Sequence, residues 1–356
     1  MTKHMFAGAN TPSGFIDFFD HIMPLEKASR RYFLKGSSGS GKSTFIKKIA
    51  AEFKAIGVDT EKFHCANDSD SLDALSINSK GICIMDATAP HNRDPEMPIA
   101  VDKIIDFANF IDKNKINKYV DEIKSLLIRK KQLNDKVSSH LTIVKKIYTD
   151  EYKIYQNALD TQSLNELVQE WLKLLNINST PNPSILDRKL FLSAITPDGF
   201  ISFAKNHFND CKIYGLQEDS KIAADNFMSI IRNKANACGV YTESFYSPFE
   251  PQILDYLYFP NMKIAFAATS KHMEHKGNIE NKIDINHCYN TKILKNANLE
   301  INQHNKHTHL DKALAVAVNS MYSSRTVHTK IEEIYSSTIN FDEVNKLTEK
   351  ILNEIL

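Results

Sequence analysis

Cysteine, glycine and tryptophan are scarce in this 356-residue sequence, and long apolar runs are missing. The five cysteines, Cys65, Cys83, Cys211, Cys238 and Cys288, are odd in number, scattered, and never in C-x-x-C spacing. That excludes a disulfide framework and a zinc knuckle, and it leads us to expect reduced thiols. Met1 to Phe6 lacks the apolar core of a signal peptide, and no run approaches membrane-spanning length. A cytoplasmic protein with no membrane partner is expected. An excess of one charge is absent too. With 44 Lys and Arg against 43 Asp and Glu, the formal net charge is +1, so no global field draws the chain to nucleic acid.

Of the 11 glycines, three sit together in Gly36-Ser37-Ser38-Gly39-Ser40-Gly41-Lys42-Ser43-Thr44. The apolar Tyr32-Phe33-Leu34 precedes this stretch and the amphipathic Phe45-Ile46-Lys47-Lys48-Ile49-Ala50 follows it. Strand, glycine-rich turn and helix is the context that G-x-x-x-x-G-K-[ST] requires. Gly36, Gly39 and Gly41 leave room for a phosphate beside the main chain. Successive N–H groups at a helix N-terminus form an anion cradle. Lys42 is placed to reach the β- and γ-phosphates and the Ser43 hydroxyl to ligate Mg²⁺. A serine- and glycine-rich connector is the bland alternative, and the flanks argue against it. The expected cofactors are ATP or another nucleoside triphosphate, and Mg²⁺.

Further on, Gly81-Ile82-Cys83-Ile84-Met85-Asp86 reads as a buried parallel strand ending in an acid, the pattern of a second metal ligand at Asp86. The Thr-Pro-x-Gly stretch at Thr11 suits a helix start, with Thr as N-cap and Pro next. Val58 to Cys65 reads as a strand and Ala66 to Ser71 as a polar loop carrying another cap. Neither proline nor glycine interrupts the chain between Pro98 and Thr180. Apolar residues there keep helical spacing until Arg129-Lys130-Lys131-Gln132-Leu133-Asn134-Asp135 breaks the seam. This predicts an antiparallel helical arm, over about 100–178, with its tip near 130–135, although one continuous helix fits as well. Over 112–146 ten basic residues face four acidic ones. A solvated lysine-rich face is the preferred reading, since only a single aromatic residue, Tyr119, interleaves the basic ones. A nucleic-acid partner is disfavoured but left open by that arm.

The chain also repeats itself. FAGANTPSGFIDF at 6–18 returns as FLSAITPDGFISF at 191–203, and AIGVDTEKF at 55–63 as ACGVYTESF at 237–245. We therefore read two copies of one unit, 1–180 and 186–356, joined by Thr180-Pro181-Asn182-Pro183-Ser184. The predicted fold class is α/β: two tandem three-layer α/β/α domains with mainly parallel sheets, each with a helical extension. The second copy lacks the glycine-rich turn. Glu218 and Asp219 fall where phosphate would sit, Ala223 and Ala224 fall near the lysine and hydroxyl positions, and Ala268 stands opposite Asp86. A non-binding pseudo-domain is expected, able to regulate, hold a partner, or complete the first half's site.

GSSGSGKST, FHCANDSDSLD and GICIMDATAPH in this order, with Thr-Pro-x-Gly opening both halves, resemble an uncharacterised bacterial family of tandem P-loop ATPase-like proteins across essentially the whole chain. Both halves in that family often keep an intact P-loop, so this sequence departs from it in its second half. The resemblance implies a nucleotide-binding P-loop fold. It places His64, Cys65, Asp68, Asp70, Ser71 and Asp73, together with Thr88, Pro90 and His91, near the nucleotide.

No Glu follows Asp86 to activate water, and no L-S-G-G-Q signature occurs. His91 is the nearest titratable group after the strand and a candidate to orient water or a hydroxyl. The candidate catalytic residues are Lys42, Asp86 and His91, and Arg93 is a weaker candidate for contacting phosphate. The first expectation is a Mg²⁺-dependent ATPase whose second half couples nucleotide state to a protein or small-molecule partner. A small-molecule or nucleotide kinase is the alternative, and a nucleotide-gated binding module with negligible hydrolysis the third reading. His304-Asn305-Lys306-His307-Thr308-His309 has spacing that could serve a metal but no supporting cysteine, and a metal role is disfavoured.

Overall fold

The computed structural model describes residues 2–177, 187–269, 279, 281–297 and 299–356, with the side chains of 299–308 outside the description. The expected linker at 180–184 lies outside the described residues, as do the side chains of His304 to Thr308. Among the described residues, no group of three or more His, Cys, Asp or Glu side chains is placed to hold a metal. No described helix is long and apolar enough to cross a membrane.

The first half contains β1 (Lys3–Met5), β2 (Gly8–Thr11), β3 (Gly14–Asp17), β4 (Arg30–Lys35), β5 (Glu61–Cys65), β6 (Asp68–Ile77), β7 (Ile82–Asp86) and β8 (Asp102–Asp106). Its helices are α1 (Lys42–Ala55), the single turn α2 (Lys113–Ile116), α3 (Val120–Ala158) and α4 (Thr161–Leu174). The second half contains β9 (Asp187–Leu190), β10 (Ser193–Thr196), β11 (Gly199–Ser202), β12 (Lys212–Gln217), β13 (Thr242–Tyr246), β14 (Leu254–Phe259), β15 (Ile264–Thr269) and β16 (Asn281–Asp284). Its helices are α5 (Ala204–His207), α6 (Ile222–Ala237), α7 (Thr291–Asn296), α8 (Leu299–Ser336) and α9 (Phe341–Ile355).

The six-stranded sheets run β1-β5-β6-β7-β4-β8 and β9-β13-β14-β15-β12-β16, the same order strand for strand. The duplication read from sequence is therefore present in the topology. The sheets are mixed rather than mainly parallel, because β6 and β14 run antiparallel to both neighbours. The polar stretch expected as a loop is part of the reason: it narrows to a turn at Ala66 and Asn67, and β6 begins at Asp68. The Thr-Pro-x-Gly stretches are hairpin turns, not helix starts. Thr11 Oγ1 donates to Gly14 O at 2.7 Å and Thr196 Oγ1 to Gly199 O at 2.9 Å, so each hydroxyl closes its turn. A threonine that can cap a helix can equally close a β-turn, and local spacing does not choose between them. The hairpins β2–β3 and β10–β11 join in a third, four-stranded sheet in which Asn10 pairs with Ile195, as Phe6 pairs with Phe191 beside it. Repeat-equivalent residues that pair with each other mark a pseudo-twofold axis.

The layering also departs from expectation. Tyr32 and Leu34 of β4 face α1 and α9, in a core with Phe45, Ile49, Phe53 and Ile351. Phe33, from the opposite face of the same strand, joins Phe63 and Met85 in a core with Phe245, Ala265 and Ala267 of the second sheet. The two sheets pack face to face with helices outside, giving four layers instead of two separate three-layer sandwiches. Strands apolar on both faces are consistent with either arrangement. The duplicated sheet covers the second face.

The helical extensions are exchanged between the halves. Leu164, Val168 and Trp171 of α4 pack on α6 of the second half, whereas Val344, Ile351 and Ile355 of α9 pack on α1 of the first. The expected arm with its tip near 130–135 is one continuous helix, α3, whose Val137, Leu141 and Val144 pack against Leu310, Ala317 and Met321 of α8. Its antiparallel-arm partner comes from the other copy. The stretch after Pro98 is also not all helical, since β8 adds an edge strand beside β4. Because the helices are exchanged, neither of the repeats read over 1–180 and 186–356 is a self-contained packing unit.

Candidate functional site: one open helix terminus and one plugged

At the carboxyl end of β4 the chain turns through Gly36 to Gly41 and enters α1. Gly41, at φ 90°, precedes the first helical residue, and no side chain caps the terminus. The first N–H groups of a 14-residue helix are thus left to an external acceptor, with the helix dipole favouring an anion. Lys42 Nζ donates to Gly36 O at 2.7 Å and Ser37 O at 2.8 Å, curling back over its own loop. It also lies 3.6 Å from Asp86 Oδ2. Strand pairing brings Asp86 opposite Leu34 on the adjacent strand, which is why the acid meets the loop. Asp86 Oδ1 accepts from Thr88 N at 2.8 Å, and Thr88 Oγ1 donates to Gly36 O at 3.1 Å. Ser43 Oγ accepts from Leu72 N at 3.0 Å.

His91 is buried. Its Nε2 lies 3.4 Å from Asp73 Oδ2, and its ring stacks on Phe19 with centroids 4.6 Å apart. Burial pushes the Asp73 carboxyl up to about 6, against the pull of His91. Ser37 Oγ, Ser40 Oγ and His91 Nδ1 are buried without a hydrogen-bond partner. These three orphaned polar atoms belong to residues that line one cavity with the uncapped helix terminus, a setting able to receive an external polar or anionic group. Lys42, Ser43, Asp73, Asp86 and His91 line one cavity of about 540 Å³. The structure therefore brings the candidates Lys42, Ser43, Asp86 and His91 together, whereas His64 and Asp70 do not line this cavity, His64 instead bonding His4 at 2.8 Å and packing on Phe203. Arg93 stands apart as well, since it donates from Nε to Asp20 at 2.7 Å and pairs with Asp17. Two carboxylates hold that guanidinium, so the weaker phosphate-contact role is not supported.

Sequence reasoning missed the roof of the cavity. Lys130 of α3 and His328 and Glu332 of α8 close it from above, with Phe341 at the start of α9. A Cβ at Gly39 would stand 2.3 Å from Glu332 O, so only glycine, here at φ 77°, permits the arm to seat on the loop. The signal for Lys130 was its place in the basic interruption of the α3 seam. Nothing in the sequence marked His328 or Glu332.

The second half answers the same backbone problem differently. Glu218 Oε1 accepts from Ala224 N at 2.8 Å and its Oε2 from Ala223 N at 3.2 Å. Ser220 Oγ accepts from Ile222 N at 3.2 Å, and Tyr289 supplies a further acceptor to Ala223 N at 2.8 Å. The terminus of α6 is thus plugged by the protein's own carboxylate. Glu218, placed by sequence at the phosphate position, is buried at this terminus, while Asp219 donates its N–H to Asn286 Oδ1 at 3.3 Å. The alignment needs one correction. Asp225 Oδ1 accepts from Leu254 N as Ser43 Oγ does from Leu72 N, both pairs displaced by 182 residues. The counterparts of Lys42 and Ser43 are accordingly Ala224 and Asp225. Leu216 pairs with Ala268 as Leu34 pairs with Asp86, so the second acid is indeed missing.

Burial pushes the Glu218 carboxyl up to about 7, although its four donors favour the ionised form. The folded chain thus holds this proton more tightly than the unfolded chain, where Glu titrates near 4.5. That stabilising contribution is complete below pH 4.5 and is lost as pH rises through 7. Glu218→Gln is expected to gain on the wild type between pH 5 and 8, by a few degrees of Tm, in melts run across that range. Parallel curves would show that the plug does not titrate.

A scan of family models and searches of curated proteins and of solved structures found no match to this chain. The functional reading therefore rests on the geometry above.

Proposed function

We propose that the protein is a Mg²⁺-dependent, ATP-binding P-loop NTPase with one nucleotide site, in the first half, and a second half that binds none. The observation that carries the reading is the contrast between the termini. The α1 terminus has a lysine, an acid and orphaned hydroxyls around uncapped N–H groups, while the α6 terminus is filled by Glu218. In this reading the loop N–H groups and Lys42 bind the phosphates, and Ser43 and Asp86 hold Mg²⁺, which would neutralise phosphate charge. His91, oriented by Asp73, takes the water to be activated, in place of the missing Glu. The burial of His91 and the helices over the loop support slow turnover in a water-poor cavity.

A neighbouring cavity favours the kinase alternative. It measures about 310 Å³, lies between the hairpin turns and the α3–α8 pair, and shares Asn67, Pro90, Lys130 and His328 with the nucleotide cavity. That is the low end of ligand-sized pockets, enough for a small acceptor. Phosphate release from Mg-ATP, with and without a panel of small hydroxylated metabolites, tests both readings. Release from ATP alone, abolished by EDTA, is the expected result. Loss of ATP without phosphate release, only when a metabolite is present, would replace the first reading with the second. Neither outcome would leave a nucleotide-gated binder.

A further inference from the structure

Lys130 is a half-buried cation on the roof of the nucleotide cavity with too few partners. Among the described residues its one hydrogen bond is to His328 Nδ1, at 2.7 Å, and no carboxylate lies within salt-bridge distance. Burial and, after it, the Lys130 charge lower the His328 pKa to about 4. The imidazole is therefore neutral at pH 7 and takes only one of three ammonium protons. None of the cavity's acids forms a salt bridge with Lys130, although Glu332 on the same roof is near enough for its charge to act on it. Asp86 lies near Lys42, Asp73 near His91, and Asp68 accepts from Ser71 Oγ at 2.5 Å, while Glu332 Oε1 is 3.6 Å from His328. Lys42 and Lys130 both line this cavity, so an anion entering it would meet both ammonium groups. The Glu332 main chain comes so close to Gly39 that a Cβ there would clash with it, which seats the arm over the loop.

We infer that Lys130 grips the terminal phosphate of the bound nucleotide, making the α3–α8 pair the element that distinguishes a triphosphate from a diphosphate. The inference rests on the nucleotide reading above. Lys42 reaches from below, out of the loop itself, and Lys130 closes from above, out of the arm. Loss of the γ-phosphate removes an anion held by Lys130, which gives the paired helices a contact that differs between nucleotide states. A cation supplied from outside the loop is a general device for stabilising charge on a transferring phosphoryl group.

Calorimetric affinities for Mg-AMP-PNP and Mg-ADP, on the full chain, test this with wild type, Lys130→Met and Lys130→Arg. The methionine variant is expected to bind AMP-PNP about tenfold more weakly while ADP affinity stays within about twofold, the size of one charge-assisted contact. Lys130→Arg should keep most of the wild-type preference. A methionine variant that weakens both nucleotides equally, or neither, overturns the inference. Wild type that binds neither nucleotide would fail the nucleotide reading instead. Thermal melts of each variant separate a lost contact from a lost fold, and Lys130→Gln replaces the methionine variant if that one melts early.

Discussion

Lys42→Ala is expected to weaken Mg-ATP binding by at least about 100-fold and to abolish nucleotide-dependent phosphate release, the loss typical of removing a preorganised charged donor from a low-dielectric site. The side chain is buried, and its ammonium already lies against Gly36 O and Ser37 O, a few ångströms from the uncapped helix terminus. An alanine leaves the loop's N–H groups in place, so folding should be unaffected and the loss should fall on binding. Nature has made the equivalent change in the second half, where Ala224 stands at that position and Glu218 has taken the anion's place. Lys221→Ala is the matched control. It breaks the Lys221–Asp255 pair, and costs stability, but leaves nucleotide affinity alone. Calorimetry for binding and a coupled phosphate assay for turnover read both variants.

Arg188→Met is expected to cost about 3–5 kcal/mol of stability, the usual penalty for stripping the partner from buried charges. Arg188 opens the second half, yet its guanidinium meets Glu61 of the first at 3.0 and 2.7 Å. It also lies 3.4 Å from Glu243 and donates to His21 O and Ile22 O. Both acids are buried, and Arg188 is buried with them. Despite burial, contacts with His207 and Arg188 hold the Glu243 carboxyl below the usual carboxylate range. That contribution is present above the unfolded carboxylate pKa and is lost as pH falls through the lowered folded value. Removing Arg188 strands two carboxylates in the central layer, where the sheets of both halves share a core. Denaturant unfolding should show one cooperative transition in both proteins, shifted in the variant, because exchanged helices leave neither half a core of its own. Adding Glu61→Gln to the variant should recover part of the loss. An unfolding curve with two steps, or an unshifted midpoint, would count against the interlocked architecture.

How much of this was legible beforehand differs from residue to residue. The strand, turn and helix around Gly36 to Thr44 were readable because a scarce residue type clusters at one turn between an apolar run and an amphipathic one. The strand ending at Asp86 was readable because its apolar run is short and closes on an acid. The equivalence of the halves followed from identities alone, and strand order later agreed with it. The four layers were not readable. Phe33 and Tyr32 are both apolar, and their sequence says that each face of β4 is covered without saying by what. The exchange of α4 and α9 was hidden for the same reason, since an amphipathic helix such as Phe341–Ile355 carries no label for the sheet it will cover. Thr11 was misread because one hydroxyl and one proline satisfy either a helix start or a hairpin turn. Lys130 was set aside as a solvated face. Along α3 the neighbouring Arg129 and Lys131 are exposed, and only the packing of α8 turns Lys130 inward.

The central claim, a single phosphate-binding helix terminus in a molecule with two such termini by descent, is tested most directly by nucleotide stoichiometry. Equilibrium dialysis with a non-hydrolysable ATP analogue and Mg²⁺ should give one nucleotide per chain in the wild type and in Glu218→Gln, and none in Lys42→Ala at the same concentrations. Two nucleotides per chain, or one that persists in Lys42→Ala, would contradict it.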